Sequence, residues 1–308
     1  MRIYDYLQQA SQATRNRLGK SLHHDKFMVG LAIAYGASVI VYLVWHHGFL
    51  TPDQFLVMAM LAALLLGRLK AFLWDWIPLI LLLFGYEYVR GLVQKINPNV
   101  HIFPMIRFDR FVFGTVPTIA LQARFYTPGQ PCWYDYAAII LYFLHFVVPL
   151  TVAFVFWLKN RKLFKQYAAA MVLVSYLTYL TYLAFPAVPP WLAARAGFLP
   201  PVARIMDATL SGISAQIQLP TIYSYCGVNL VAAVPSLHAA YPLLTAIFVG
   251  GRAPKLIPVM AVYSVAVWVA LVYLGEHYVF DVFSGIIYAL LTAGLLRYWP
   301  GKKSAARN

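Results

Sequence analysis

Charged residues are scarce in this sequence. Asp, Glu, Lys and Arg make up 11% of its 308 residues, whereas a typical soluble domain has about 25%. Hydrophobic residues make up 62% of the chain and aromatic residues 16%. This composition excludes an ordinary soluble domain and indicates a polytopic membrane protein.

Acidic residues are the rarer of the charged types, with 10 Asp and Glu against 24 Lys and Arg and a net charge of +14. A basic balance can indicate nucleic-acid binding, but these residues collect between apolar segments. Basic residues among the first 26 positions place the N-terminus in the cytoplasm by the positive-inside rule. Alternation of spans then places the remaining basic clusters there too: Lys159, Arg161, Lys162, Lys165, Arg252, Lys255, Lys302, Lys303 and Arg307. The expected partner is therefore a membrane and not nucleic acid.

Cysteine is almost absent, and no cleavable signal peptide is visible. The first 26 residues lack an apolar stretch of the required length, so the first span is expected to act as its own targeting signal. Cys132 and Cys226 both fall in loops expected outside the cytoplasm, where an oxidising compartment permits a disulfide. The sequence leaves open whether they pair.

Long apolar runs are the feature that this chain has in abundance. They cover about residues 27–45, 54–67, 72–90, 134–157, 167–185, 237–250, 256–275 and 278–298. Most reach the roughly 20 residues that cross a bilayer, although 54–67 and 237–250 are short. The prediction is an all-α, polytopic membrane helical bundle with six to eight transmembrane helices, eight being favoured.

The same runs divide the chain into three parts. Residues 1–26 form an N-terminal arm that is either cytoplasmic or interfacial, residues 27–298 a single transmembrane catalytic domain, and residues 299–308 a cytoplasmic tail. In a multi-pass protein of the cell membrane, both termini are then cytoplasmic. Loops 91–133 and 186–236, together with the helix start near His277, face the opposite side. The oligomeric state is left open.

Two short polar signatures interrupt the apolar C-terminal third: Pro235-Ser236-Leu237-His238, and the segment from Gly275 to Asp281. Their histidines are 39 residues apart, so the chain between them can cross the bilayer once and return. Asp281 follows His277 by four residues, a spacing at which a carboxylate reaches an imidazole. Because an aspartate within an apolar segment costs about 2.5 to 3.5 kcal/mol, we expect Asp281 to face a polar partner.

These residue types suit phosphoryl transfer. That reaction needs a nucleophilic imidazole, an orienting carboxylate, a proton donor for the leaving oxygen and cations for the phosphate. His277 with Asp281 supplies the oriented nucleophile, and His238 beside Ser236 supplies a second titrating group. For any one histidine alone, an interfacial hydrogen-bonded side chain is the favoured interpretation. The spacing of all three residues favours a joint site.

The two signatures resemble those of the type 2 phosphatidic acid phosphatase superfamily, and in particular the fungal inositol phosphorylceramide synthases and their bacterial relatives. Further similar stretches are Phe185 to Trp191, Asp75 to Pro78, and Tyr142 to Pro149. The resemblance covers about residues 68–298 and implies a six-helix phosphatase-like core. It also implies that His277 forms a phosphohistidine, that Asp281 orients it, and that His238 acts as general acid and then base. No metal or other cofactor is implied.

The sequence departs from the superfamily in the basic residues expected to bind the phosphate. The usual upstream Lys and Arg-Pro signature is missing, and Glu276 stands where a cation is expected before the second histidine. Arg110 and Arg124 are the preferred replacements for binding phosphate oxygens, although each could equally serve to bind lipid head groups. Arg107, Arg68, Lys70 and Arg90 are further candidates, and Arg90 could instead pair with Glu87.

Three more residues complete the predicted substrate site. Ser236 and Tyr278 adjoin the two catalytic histidines in sequence. His145, like Asp75, lies within or near an apolar segment, where it is either a structural hydrogen bonder or a residue supporting the site.

The resulting hypothesis is a membrane phosphotransferase. It would move a phosphoryl head group, with inositol phosphate as one possibility, from a phospholipid donor to a lipid or glycan acceptor. A lipid phosphatase acting on phosphatidic acid or a polyprenyl pyrophosphate is the alternative. A transporter could also carry intramembrane His, Asp and Glu residues, but it predicts repeated halves that this sequence lacks.

Overall fold

The structure is a computed structural model that describes residues 52–214 and 230–297. Within these ranges it contains twelve α-helices and, apart from isolated bridges at Ala187, no β-structure. The first six are α1 (Pro52–Leu65), α2 (Leu69–Gly91), α3 (Val93–Ile96), α4 (Phe103–Phe113), α5 (Pro117–Phe125) and α6 (Trp133–Lys159). The others are α7 (Arg161–Ala184), α8 (Pro190–Arg195), α9 (Ile205–Ser214), α10 (Leu237–Gly250), α11 (Ile257–Tyr273) and α12 (Val279–Arg297). The all-α prediction is confirmed.

Five of the described helices are long and apolar enough to cross a membrane: α2, α6, α7, α11 with its preceding turn, and α12. Helices α1 and α10 are apolar but shorter, and they correspond to the two runs that looked short in the sequence. The first apolar run, residues 27–45, lies outside the described residues, as do the N-terminal arm and the C-terminal tail. The count of six to eight spans therefore stays a prediction.

The chain separates into two compact units at the bond between Ile77 and Pro78, within α2. In the first unit, the rings of Phe72 and Trp76 stack one helical turn apart, with centroids at 5.1 Å, and both are buried. The second unit contains the three predicted catalytic residues and the preferred substrate-binding candidates, whereas Arg68 and Lys70 lie in the first unit. The prediction of one catalytic domain over residues 27–298 is left untested by this division.

Helix α10 is the centre of the second unit, because it packs against α6, α7, α11 and α12. Its contacts with the surrounding helices include polar ones. The Tyr167 hydroxyl lies 2.6 Å from Thr245 Oγ1, and Trp268 Nε1 donates to the Ala239 carbonyl over 3.1 Å. Such side-chain bonds replace the water that a bilayer does not supply. They fix the position of the helix that carries His238.

The long connections gather at the end of the bundle where α10 and α12 begin. His101 N donates to the Pro186 carbonyl at 2.7 Å, and Ala187 N donates to the Val231 carbonyl at 2.8 Å. Helix α7 ends at Ala184, just before Pro186, Pro189 and Pro190, because proline does not continue a helix. Segments of both predicted loops, 91–133 and 186–236, thus lie at the same end as the polar signatures. Which membrane face this end meets stays a prediction.

Candidate active site

The site begins where helix α10 starts. Ser236 is the N-cap of this helix, and its hydroxyl accepts a hydrogen bond from Ala239 N at 3.2 Å. Ser236 N in turn donates to the Asp281 carbonyl at 3.0 Å. This cap accounts for the buried serine structurally, and its predicted contact with substrate stays a prediction. The two helix starts are thereby joined directly, which places His238 beside the second signature.

The second signature forms a tight turn ahead of α12. Glu276 N and His277 N both donate to the Leu271 carbonyl, at 3.2 and 3.3 Å. Gly275 has a φ of 84°, and a Cβ there would lie 2.7 Å from the Ala203 carbonyl oxygen. Glycine is therefore required both by the left-handed backbone and by the close approach of a neighbouring loop. Helix α12 starts at Val279, so His277 lies just before the helix and not on its first turn as the spacing suggested.

His277 contacts both of its predicted partners. Its Nδ1 lies 3.3 Å from Asp281 Oδ2, and its Nε2 lies 3.1 Å from His238 Nδ1. Asp281 is fully buried and His277 nearly so. A hydrogen bond between two imidazoles requires one nitrogen to carry the proton and the other to lack it. The pair is therefore arranged to exchange a proton.

The Asp281 carboxylate has only part of its bonding capacity filled. Its Oδ2 accepts from Tyr278 N at 2.9 Å as well as facing His277. Its Oδ1 is buried without a hydrogen-bond partner among the described residues. A buried charge with an open acceptor is costly. A positive charge that develops on His277 would offset this cost.

Helix α6 supplies two further side chains around His238. The Tyr142 hydroxyl lies 3.2 Å from His238 Nε2, so both ring nitrogens of His238 have a polar neighbour. His145, one turn later on α6, packs its ring edge-on against the His238 ring, with the two centroids 4.2 Å apart. Its Nδ1 also forms a hydrogen bond with the Tyr142 carbonyl. The sequence singled out His145 but not Tyr142. The available signal was their separation of three residues within one apolar helix, which puts them on the same face.

Arg110 and Arg124, the preferred phosphate-binding candidates, are exposed at the ends of α4 and α5. Within the described residues, neither guanidinium makes a hydrogen bond or an ion pair. Their role in holding phosphate stays a prediction. Tyr278 is fully buried, and its hydroxyl has no partner in the described part of the chain.

Two other arginines lie closer to the site residues. Arg90 pairs with Glu87 at 2.6 Å, as one interpretation of the sequence predicted, and its charge acts electrostatically on His238. Arg204, which the sequence did not single out, donates through Nε to Glu276 at 2.7 Å. Glu276 directly precedes His277, so Arg204 adds a cation beside the position where the superfamily's cation is missing.

Acidic and aromatic groups surround the Arg204 guanidinium. It also donates to Asp207 Oδ2 at 3.0 Å and lies over the Trp191 ring, 4.9 Å from the centroid. Burial lowers the pKa of Arg204, but Glu276 and then Asp207 outweigh burial and raise that pKa above its usual value. Arg204 therefore stays charged at every pH at which the protein can be assayed. It ties the loop after α8 to the turn that carries His277.

Gln122 makes a second tie to the same turn. Its side-chain nitrogen donates to the carbonyls of Ala203 and Tyr273, both at 2.9 Å, and its oxygen accepts from Ala203 N at 2.8 Å. The chain separations are 81 and 151 residues. No local pattern in the sequence indicates these contacts.

An apolar groove of about 540 Å³ opens between α5, α6 and α11. Phe125, Trp133, Ala266 and Val269 contribute to its walls. Tyr273 lines it as well, four residues before His277. The groove thus runs along the helix that leads into the turn carrying His277, and its lining suits a hydrocarbon chain.

An all-helical bundle with apolar spans and a His, His, Asp cluster at one end, in which His277 and Asp281 are buried, defines a membrane protein with a candidate acid–base and nucleophilic site. Comparison with protein families then gives a specific assignment. The chain belongs to the PAP2 superfamily, whose family model matches residues 104–295 and so includes all three clustered residues.

One relative extends this assignment beyond the family. Over 228 residues, the chain is 27% identical to a phosphoinositol dihydroceramide synthase of Bacteroides thetaiotaomicron, covering 70% of this chain and 75% of the relative. No solved structure matches. The family and the relative together support an enzyme of the lipid phosphotransferase or phosphatase kind, in preference to a transporter.

Proposed function

We propose that this protein transfers a phosphorylated head group from a phospholipid to the hydroxyl of a lipid or glycan. The observation that carries the proposal is the hydrogen-bonded series Asp281, His277, His238, which is built from two helix starts that are themselves bonded together. Each member has the position that a two-step transfer requires.

In the first step, His277 Nε2 attacks the phosphorus of the donor. The bond from phosphorus to the diacylglycerol oxygen breaks, and His238 Nδ1 gives that oxygen a proton. Asp281 accepts from the protonated Nδ1 of His277 and offsets the positive charge that forms on the ring. The head group is left on His277 as a phosphohistidine.

In the second step, the acceptor hydroxyl occupies the place vacated by diacylglycerol. His238 removes its proton, its oxygen attacks phosphorus, and the bond between phosphorus and His277 Nε2 breaks. Tyr142, at His238 Nε2, holds the ring of the general base in the orientation that both steps need. The enzyme returns to its starting protonation.

The relative's name suggests which substrates to test first. A phosphoinositol lipid is the first donor and dihydroceramide the first acceptor, in an enzyme of the cell membrane whose site faces away from the cytoplasm. The groove along α11 supports a substrate with a long hydrocarbon chain. Arg110, Arg124, Arg204 and Arg90 are the candidates for holding phosphate. The reaction is proposed to need no metal.

A lipid phosphatase is the second candidate, because the superfamily matched by the chain includes such enzymes and water can replace the acceptor in the second step. Purified protein in lipid, given phospholipids labelled in the head group with and without dihydroceramide, separates the two. Label in a new lipid supports transfer. Release of soluble label without a new lipid supports hydrolysis and contradicts transfer.

The nucleophile is tested in the same assay with His277→Ala, and His101→Ala serves as the matched control. His101 stacks on Phe185, with ring centroids 3.9 Å apart, and takes no part in the hydrogen bonds of the cluster. We expect His277→Ala to abolish turnover and incorporation of label into the protein, while the control keeps both. Undiminished turnover in His277→Ala would exclude His277 as the nucleophile.

A further inference from the structure

A buried carboxylate from a distant part of the chain caps helix α12, which follows the turn that carries His277. Asp109 of α4 accepts a hydrogen bond from Val279 N through Oδ2 at 3.1 Å and another from Phe280 N through Oδ1 at 3.0 Å. The two contacts span 170 and 171 residues of sequence, and the Asp109 side chain has no exposed surface. None of the sequence motifs includes Asp109.

These two bonds act on the backbone between the catalytic residues. The first N–H groups of a helix have no partner within the helix, and a carboxylate beside them is further favoured by the helix dipole. Val279 and Phe280 lie between His277 and Asp281, so fixing their N–H groups fixes the turn that sets the distance between the imidazole and its carboxylate. Asp281 Oδ2 caps the preceding N–H, that of Tyr278. Two carboxylates thus share the start of α12.

Packing alone already joins α4 to α12. The centroid of the Phe108 ring lies 5.0 Å from that of the Phe280 ring and 6.4 Å from that of the Phe283 ring. The buried negative charge of Asp109 adds an energetic cost to this contact between the two helices. Burial raises the pKa of Asp109 to about 6, although its two backbone hydrogen bonds lower it, and the nearby Asp281 raises it further. A helix contact does not need a second buried carboxylate close to Asp281.

We propose that Asp109 is a positioning residue that holds His277 and Asp281 in register for phosphoryl transfer. The inference rests on the proposed function for its kinetic test, but the contact that it invokes can be measured separately. Asp109 acts only through the backbone of Val279 and Phe280. It contacts no reacting atom.

The kinetic test compares Asp109→Asn with Phe108→Ala in the assay described above. An asparagine keeps the shape of the side chain, but it can accept only one of the two N–H groups and carries no charge. We expect kcat to fall about tenfold or more, with KM within about twofold, because small misplacements of catalytic groups reduce the rate strongly. Phe108→Ala weakens the packing between the same two helices and leaves the cap intact. It is expected to lower thermal stability with a smaller effect on kcat.

The pH dependence of protein stability provides a second readout. A purely structural cap would not predict both the change in stability described here and a loss of activity. A folded pKa near 6, above the ordinary 3.8, means that the folded protein holds this proton more tightly than the unfolded chain. Stability from Asp109 therefore falls as pH rises from 3.8 through 6. The titratable groups that act on it are Asp281 and Tyr278, and Arg107 and Arg110 of its own helix are exposed. The melting temperature of Asp109→Asn should rise relative to wild type between pH 4.5 and 7.5, while its activity at pH 7.5 stays low.

A chemical probe tests the position of His277 without any substrate. Diethyl pyrocarbonate modifies accessible neutral imidazoles, and the rate at His277 can be followed by mass spectrometry of its peptide. We expect Asp109→Asn to increase that rate severalfold and Phe108→Ala to change it less. An unchanged His277 rate, or equal losses of kcat in the two variants, would overturn the role of Asp109. If the wild type turned over no donor, the proposed function would fail, and the modification rates would still decide the role of Asp109.

Discussion

Gly285 shows how one small residue sets the separation of His238 and His277. A Cβ at this position of α12 would lie 2.2 Å from the Ser236 carbonyl oxygen and 3.2 Å from the Ala239 Cβ. Ser236 N also bonds to the Asp281 carbonyl, one turn before Gly285. The backbones of α10 and α12 therefore approach as closely as glycine allows, and His238 reaches His277 because of it.

Replacement of Gly285 by alanine should therefore separate the histidines. The new methyl group meets backbone that cannot rotate away, and overpacking of this kind costs about 1–3 kcal/mol. We expect Gly285→Ala to lower the melting temperature and to reduce kcat about tenfold or more. Gly294→Ala in the same helix is the control, because a Cβ there meets nothing within 4 Å. Equal behaviour of the two variants would contradict the proposed close approach.

At the scale of single residues, the sequence predicted the contacts that are local or that follow from matched spacing. His277 and Asp281 are four residues apart, and Glu87 and Arg90 are three apart, so the contacts within each pair could be expected from the sequence. Tyr142 and Arg204 could not be assigned in the same way. Their contacts with His238 and Glu276 depend on how α6 and the loop after α8 pack against the rest of the bundle.

At the scale of elements, helix α11 serves two purposes. Its C-terminal end leads into the turn that carries His277, and its side faces the apolar groove through Ala266, Val269 and Tyr273. A hydrocarbon chain in this groove would have its head group directed toward the turn. This geometry predicts that the groove influences which lipids react.

Filling the groove should weaken lipid binding without damaging the site. Ala266→Phe places a ring within the groove, and we expect KM for the lipid donor or acceptor to rise severalfold with kcat nearly unchanged. Val262→Phe, one turn earlier on the same helix, is the control because Val262 is 70% exposed on the bundle surface. The measurement is a substrate titration in mixed micelles. A KM that changes equally in both variants would show that the groove is not used.

At the scale of the whole molecule, the position of the basic residues predicts the orientation. Lys162 lies in the first turn of α7, next to the junction with α6, whereas Gln130 lies in the segment before α6, at the other end of that helix. The positive-inside rule places Lys162 in the cytoplasm. The end that carries His238 and His277 then faces outward.

Cysteine labelling in intact cells tests this orientation. In a background with Cys132→Ser and Cys226→Ser, a membrane-impermeant maleimide should label Gln130→Cys and leave Lys162→Cys unlabelled until the cells are opened. The reverse pattern would place the site in the cytoplasm. The same background shows whether Cys132 matters for activity; Cys226 lies outside the described residues, so its pairing with Cys132 stays a prediction.

The sequence by itself determined the helical class of this protein and the positions of its long helices. In a bilayer each backbone polar group must be bonded within the protein, so apolar runs of about 20 residues have to form helices wherever they span. Their predicted limits agree with α2, α6, α11 and α12 to within a few residues, whereas α7 begins at Arg161, ahead of the run predicted from residue 167. The spacing of the two polar signatures likewise predicted a common end of the bundle.

Only the tertiary structure decided which distant groups surround that end. Asp109 meets Val279, Gln122 meets Tyr273, and Arg204 meets Glu276 across 170, 151 and 72 residues. The periodicity of apolar residues predicts which face of a helix is buried, but it does not predict which neighbouring element packs against that face. Such contacts depend on the packing of short helices and loops whose sequences carry no strong period, so they emerge only when the complete chain is folded.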